Sequence, residues 1–161
     1  GSGQDKYQKL DTVQPGYGRY ESDVLHQMKE EGAGTVGITN DGTRRYAKEG
    51  GSFRYTMIVD PEMTVLQLTL RNADAGKSLK VCVGDTVLYE EVMPKAEDEA
   101  EYRQVEIFVP KQLLSEADNL TFQGKEVKVL TFTFSGSMGD NGLSKESAAV
   151  CQFIYTLGQK A

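Results

Sequence analysis

The chain has 161 residues, enough for one domain, and at this length roughly two-thirds of the unfolded surface is buried on folding. Its formal net charge is −6, with acidic and basic residues interspersed, so the basic face of a general nucleic-acid binder is absent and nucleic acid is not an expected partner. The longest apolar runs are a few residues, too short for a membrane-spanning helix, so no membrane insertion is expected.

Gly1-Ser2-Gly3 reads as a cloning scar, and residues 4–161 are expected to form one β-sandwich domain excised from a larger protein. Residues 4–20 are polar and rich in glycine and tyrosine. Val13-Gln14-Pro15-Gly16 signals a turn, Tyr7, Tyr17 and Tyr20 offer ring faces, and there is room for one edge strand. From Ser22 to Glu30 the pattern fits a short helix capped by Ser22 that buries Val24, Leu25 and Met28 before Gly32 and Gly34 end it. Asn40-Asp41-Gly42 and Gly50-Gly51 bracket residues 43–49 as a loop or short edge element. Arg44 and Arg45 stand there beside Tyr46. Two readings fit them: a solvated face, or a guanidinium pinned between carboxylates or presented to a polar ligand.

Gly50 to Val92 carries the strongest pattern. Phe53, Tyr55, Met57 and Val59 alternate with Ser52, Arg54 and Thr56, the period of two that a half-buried strand requires. Asp60-Pro61-Glu62 breaks that run. Leu66, Leu68 and Leu70 then alternate with Gln67, Thr69 and Arg71, and Leu79-to-Val83 is joined to Val87-to-Val92 through Gly84-Asp85. Residues 94–101 are half acidic and read as an exposed loop. A strand over 102–109 points Val105, Ile107 and Val109 inward, a helical turn over 111–117 crosses between sheets, and a strand over 125–135 sets Leu130, Phe132 and Phe134 on one face. The last strand, 148–157, is expected to be continuous and interior, with Ala149, Cys151, Phe153, Tyr155 and Leu157 on one face and Ala148, Val150 and Ile154 on the other. The sum is an all-β fold, a jelly-roll-like sandwich of antiparallel strands of the galactose-binding-like kind, with an immunoglobulin-like Greek key second.

Chemical motifs are sparse. His26 is the only histidine, which removes most histidine-based metal sites and makes any Ser-His-Asp arrangement depend on one position. No phosphate-binding loop is present. Asp41, Asp140 and Asn141 supply hard oxygen ligands for calcium, although Asn-Asp-Gly and Asp-Asn-Gly also form turns for backbone reasons, and no other cofactor is expected. Cys82 and Cys151 lie outside any CxxC spacing; they read as small core residues, with a disulfide between neighbouring strands as the other reading.

Glu21 followed by His26, then Glu31 and a glycine-rich spacer, then Arg45-Tyr46-Ala47-Lys48-Glu49-Gly50-Gly51-Ser52-Phe53-Arg54-Tyr55 and Ile58-Val59-Asp60-Pro61, resembles the C-terminal β-sandwich module of bacterial proteins related to glycoside hydrolase family 127. That family includes β-L-arabinofuranosidases, many from gut Bacteroides-type bacteria. Val83-Gly84-Asp85 is similar to the family's V-D-G turn, and the likeness loosens from Glu101 onward. The family's chemistry resides in an (α/α) barrel with zinc-binding cysteines and a catalytic glutamate, for which this chain has neither the length nor the helices. The resemblance therefore implies a non-catalytic accessory module, periplasmic or extracellular, that packs on a parent glycoside hydrolase catalytic domain and contacts plant-type polysaccharide. On this reading Glu21, His26 and Arg45 form a polar cluster fixing the first loop, and Tyr17, Tyr20, Tyr46 and Arg44 are the candidate ligand contacts. Family modules often carry a large aromatic beside the glycine pair, where this chain has Ser52 and no tryptophan anywhere. The alternative is a small stand-alone hydrolase or lyase using His26 with an acid.

Overall fold

The computed structural model describes residues 6–16, 20–32, 34–37, 44–122 and 124–160. In chain order these form β1 (Tyr7–Val13), α1 (Tyr20–Leu25), β2 (Lys29–Glu31), β3 (Thr35–Gly37), β4 (Arg44–Ala47), β5 (Ser52–Val59), β6 (Thr64–Arg71), a 3-10 turn (Asn72–Asp74), β7 (Ser78–Val83), β8 (Thr86–Val92), β9 (Tyr102–Phe108), α2 (Lys111–Ser115), β10 (Asp118–Phe122), β11 (Lys125–Ser135), β12 (Val150–Cys151) and β13 (Ile154–Gln159). Among the described residues the strands make a four-stranded sheet in the order β1-β13-β6-β9 and a six-stranded sheet in the order β2-β5-β11-β7-β8, with β10 also paired to β11. A small sheet, β12-β4-β3, accompanies them. The named strands pair antiparallel throughout, giving the all-β, jelly-roll-like sandwich that the alternation predicts.

The core is built where the inward faces of the two larger sheets meet. β5 alternates half-buried and buried residues along its whole length, and its register with β11 sets Phe53 opposite Phe134 and Tyr55 opposite Phe132. The Phe53 and Phe134 rings stack with centroids 5.1 Å apart, and Tyr55 meets Phe53 edge-on at 5.8 Å. Such aromatic pairs contribute about 0.5–1.5 kcal/mol each beyond the area they bury. Leu66, Leu68 and Leu70 of β6 and Val105 and Ile107 of β9 close the core from the other sheet. The β7–β8 hairpin turns at Gly84, whose φ of +56° is a conformation that favours glycine. α2 inserts Leu114 into the core.

Several local expectations are corrected. The helix spans Tyr20–Leu25, so Ser22 lies within it and its hydroxyl accepts a hydrogen bond from the Gln14 N–H. Val24 and Leu25 are exposed, and only Met28, beyond the helix, packs on the core. Residues 44–47 form a short strand, one of the two expected forms, but it lies between β12 and β3 rather than at an edge. β10, which sequence periodicity does not mark because its residues are exposed or only half-buried, forms a hairpin with β11. β6 is interior, flanked by β13 and β9, and its Gln67 and Thr69 are buried although they lie on the face away from the core leucines.

The final segment is not one strand. β12 pairs with β4, whereas β13 pairs with β1 and β6, and the chain changes sheet at Gln152, whose φ is +58°. A strand that serves two sheets must bend, and the bend falls on a non-glycine residue in the left-handed region. Phe153, expected inward, is exposed as a result. Cys82 is half-buried, Cys151 is buried, and both are free thiols, so the core reading fits Cys151 but not Cys82.

Candidate functional site

Of the polar residues singled out by sequence, His26 lies where β1, α1 and the edge of β5 meet. β2 pairs with β5 only from Ser52 to Arg54, so the backbone of β5 beyond it needs other partners. The Thr56 N–H donates to the His26 carbonyl (2.7 Å), and the Ile58 N–H donates to Asp11 Oδ2 (3.0 Å). Thr156 Oγ1 donates to the Ile58 carbonyl at 2.6 Å. Asp11 reaches this edge because the β1–β13 register shifts between Lys9 and Asp11, a bulge of the kind that re-aims a side chain.

His26 completes the joint. Its Nε2 lies 2.8 Å from Asp11 Oδ1 and its Nδ1 lies 2.8 Å from the Ser22 carbonyl. Both partners are acceptors, so the ring satisfies both only as the imidazolium. Burial lowers the His26 pKa, but the hydrogen bond and charge of Asp11, the Ser22 carbonyl and the charge of Asp23 outweigh it, and the net shift is upward. The remaining Asp11 capacity is also used, since Oδ1 accepts the Thr12 N–H at 2.8 Å.

A second knot surrounds Arg45, which is 3% exposed. Its guanidinium donates to Asp23 Oδ2 (2.8 Å), Glu30 Oε1 (3.2 Å), Thr35 Oγ1 (3.0 Å) and the Gly16 carbonyl (3.4 Å), and the Thr35 hydroxyl also bonds Glu30. Of the two readings of this arginine pair, Arg45 is therefore the guanidinium held between carboxylates. Desolvation raises the Asp23 pKa against the pull of Arg45. Burial likewise raises that of Tyr55, whose hydroxyl has no hydrogen-bond partner among the described residues.

The structure brings together only part of the predicted set. Glu21 is exposed and bonds neither His26 nor Arg45 among the described residues; the carboxylates that do so are Asp11, Asp23 and Glu30. Tyr20 is exposed on α1, whereas Tyr46 is half-buried with the Lys77 ammonium 5.7 Å from its ring centre. Arg44 is half-buried opposite Cys151. Asp140 and Asn141 occupy an exposed turn in which Asn141 Oδ1 accepts the Leu143 N–H (3.0 Å). Among the described residues no group of three His, Cys, Asp or Glu side chains converges to hold a metal. Tyr17 and Asp41 lie outside the described residues. Sequence reading also passed over Asp74, which is 1% exposed, accepts hydrogen bonds from Arg71 (2.8 Å) and the Ala149 N–H (2.9 Å), and ties the 3-10 turn to the approach to β12.

Two clefts open beside these features. One, of about 450 Å³, runs past Lys9, Asp11, Leu25, His26, Phe122 and Lys125. The other, of about 360 Å³, lies over the glycine pair, with Glu31, Lys80, Ser52, Ser135, Met138 and Leu143 in its lining. The first offers an apolar wall and two lysines, and the second a floor of small residues beside a carboxylate and an amine; both suit a polar ligand with hydroxyl groups.

Among solved structures, the chain is similar to a carbohydrate binding module (CBM6cm-2) from Cellvibrio mixtus lichenase 5A in complex with cellotriose, at 12% identity and a TM-score of 0.50, covering 96% of this chain and 99% of that one. It is also similar to a family 35 carbohydrate binding module from an environmental isolate, at 11% identity and a TM-score of 0.46, covering 97% and 92%. A comparison with curated proteins finds no match. A family model matches residues 6–133, most of the sandwich, and the chain belongs to that family, the Family of unknown function (DUF6805).

Proposed function

We propose that this chain is a non-catalytic accessory module of a secreted or periplasmic glycoside hydrolase, contacting plant-type glycan while it packs on the catalytic domain. The observation that carries the reading is the near full-length likeness in fold to the Cellvibrio mixtus module, which was solved with cellotriose. The resemblance of residues 21–61 to modules of family 127-related proteins supports the enzyme context. Exposed Val87 and Val92 on the edge strand β8 offer an apolar surface for the catalytic domain. Tyr20, Tyr46 and Arg44 remain the proposed ligand contacts on the loop side.

One observation favours the hydrolase alternative: His26 sits 2.8 Å from Asp11 at the wall of a cleft. The bonding of the pair weighs against it. A general acid or base needs a ring edge free to reach a substrate, whereas both His26 nitrogens are held by protein acceptors and the residue is 2% exposed.

Affinity electrophoresis through gels containing arabinan, arabinogalactan, xylan or hydroxyethylcellulose, run with and without a calcium chelator, tests the accessory-module reading. Retardation without any release of reducing sugar is the expected result. Hydrolysis of a polysaccharide that His26→Gln abolishes would establish the alternative.

A further inference from the structure

The break in the last strand has a second effect, on the outer face of the four-stranded sheet. Gln152 holds a φ of +58°, a strained conformation for a residue with a side chain, which persists only where its surroundings enforce it and which is often found at ligand sites. Immediately after it, Phe153 stands 39% exposed with its ring stacked on Tyr155, centroids 5.8 Å apart and planes 21° from parallel.

Lys9 Nζ sits 4.5 Å from the Tyr155 ring centre. Lys9 is in register with Leu157, two residues beyond Tyr155, whereas Phe153 lies two residues before it. The ammonium and the Phe153 ring thus approach Tyr155 from opposite directions along β13. The result is a braced stack, Lys9 on Tyr155 on Phe153, whose free end is Phe153.

The same surface carries an amide and a carboxylate. Across the sheet, Thr12, Tyr155, Gln67 and Glu106 form one register row. Gln67 is 5% exposed, and its amide is not among the fully enclosed unpaired polar atoms of the described residues, so the little surface it keeps is available on this face. This amide, in register with Tyr155 and with the exposed carboxylate of Glu106, is placed to bond a ligand hydroxyl.

The charges select the ligand. Lys9 is occupied by the ring, and Glu106 would repel a second carboxylate, so a uronic acid is disfavoured. We infer that the outer face of β13, β6 and β9 seats a neutral sugar chain, with the C–H face of one ring on Phe153 and hydroxyl groups bonded to the Gln67 amide and the Glu106 carboxylate. This rests on the glycan-binding reading and gives it a surface that borders the cleft by His26, sharing Lys9 and Thr12 with its lining, and that is distinct from the cleft over the glycine pair.

The test is calorimetric titration of the whole chain with neutral arabino-, xylo- and cello-oligosaccharides and with oligogalacturonate, on wild type, Phe153→Ala, Phe153→Tyr, Glu106→Gln and, as a control in the cleft by His26, Phe122→Ala. Phe153 and Glu106 are exposed, so these substitutions leave the fold in place, which a thermal melt verifies. The inference predicts binding of a neutral sugar by wild type, weakened roughly tenfold by Phe153→Ala and Glu106→Gln but little by Phe153→Tyr or Phe122→Ala. A neutral sugar that binds Phe153→Ala and Glu106→Gln as well as wild type, or preferential binding of oligogalacturonate, overturns the assignment of this face and leaves the glycan-binding reading standing. No binding of any sugar by the folded wild type overturns both.

Discussion

His26 Nε2 and Asp11 Oδ1 lie 2.8 Å apart, and between them the two residues bind three strand-edge or helix-end groups: the Ile58 N–H, the Thr56 N–H and the Ser22 carbonyl. The pair therefore fastens β1, α1 and β5 together at one corner of the sandwich. Asp11→Ala would leave the imidazolium and the Ile58 N–H without their acceptor, and we predict a loss of about 3–4 kcal/mol in urea unfolding. Asp11→Asn, which retains an acceptor but not the charge, is predicted to cost less.

The same pair makes stability depend on pH. Because the folded-state pKa of His26 lies above its ordinary value of 6.5, the folded protein holds the proton more tightly than the unfolded chain. That contribution is fully present below pH 6.5 and is lost as pH rises through the folded value. The groups facing the ring are Asp11, the Ser22 carbonyl and Asp23. A urea midpoint that falls from pH 6 to pH 9 in wild type and is flatter in His26→Gln is the expected outcome. The raised pKa of Asp23 acts in the same direction but in a lower window, above 3.8, so the two contributions separate on the pH axis.

Arg45 is expected to resist conservative replacement. Arg45→Lys keeps the charge but cannot reach Asp23, Glu30, Thr35 and the Gly16 carbonyl together, and Arg45→Met leaves two carboxylates facing each other without a cation. Losses of about 1–3 kcal/mol for lysine and about 3–5 kcal/mol for methionine are predicted from chemical denaturation.

Gly136 is a packing constraint of a different kind. An added Cβ would run into the carbonyl oxygen of Lys145, a backbone atom that cannot swing away. Gly136→Ala should cost about 2–3 kcal/mol by overpacking, whereas Gly142→Ala, where a Cβ meets open space and only the positive φ opposes it, should cost about 1 kcal/mol. Thermal melts of the two variants side by side separate steric overlap from backbone strain.

How far the sequence could be read depends on the kind of signal. β5 and β11 were legible because each buries one face, and that constraint writes a period of two into Phe53-to-Val59 and Leu130-to-Phe134. β10 was not, since Asp118–Phe122 buries no face completely. The corner at Gln152 escaped because apolar residues run on both sides of it, and nothing local distinguishes one buried strand from two that change sheet. At the polar corner His26 stands out as the only histidine and Arg45 as one of two adjacent arginines, while a cluster containing them is implied only by the family resemblance. Their partners Asp11 and Asp23 are ordinary carboxylates in polar segments, and only a β-bulge and a short helix bring them into place. Tyr20 reads in the sequence as a ring facing a ligand and is exposed on α1, while the braced ring pair on the surface is Phe153 and Tyr155.

The most direct measurement for the central claim is an isothermal titration of the wild-type chain with neutral plant-cell-wall oligosaccharides of increasing length. The account predicts saturable binding of at least one of them, with affinity rising as the chain lengthens and no product released. A correctly folded chain that takes up heat from none of these sugars would contradict it.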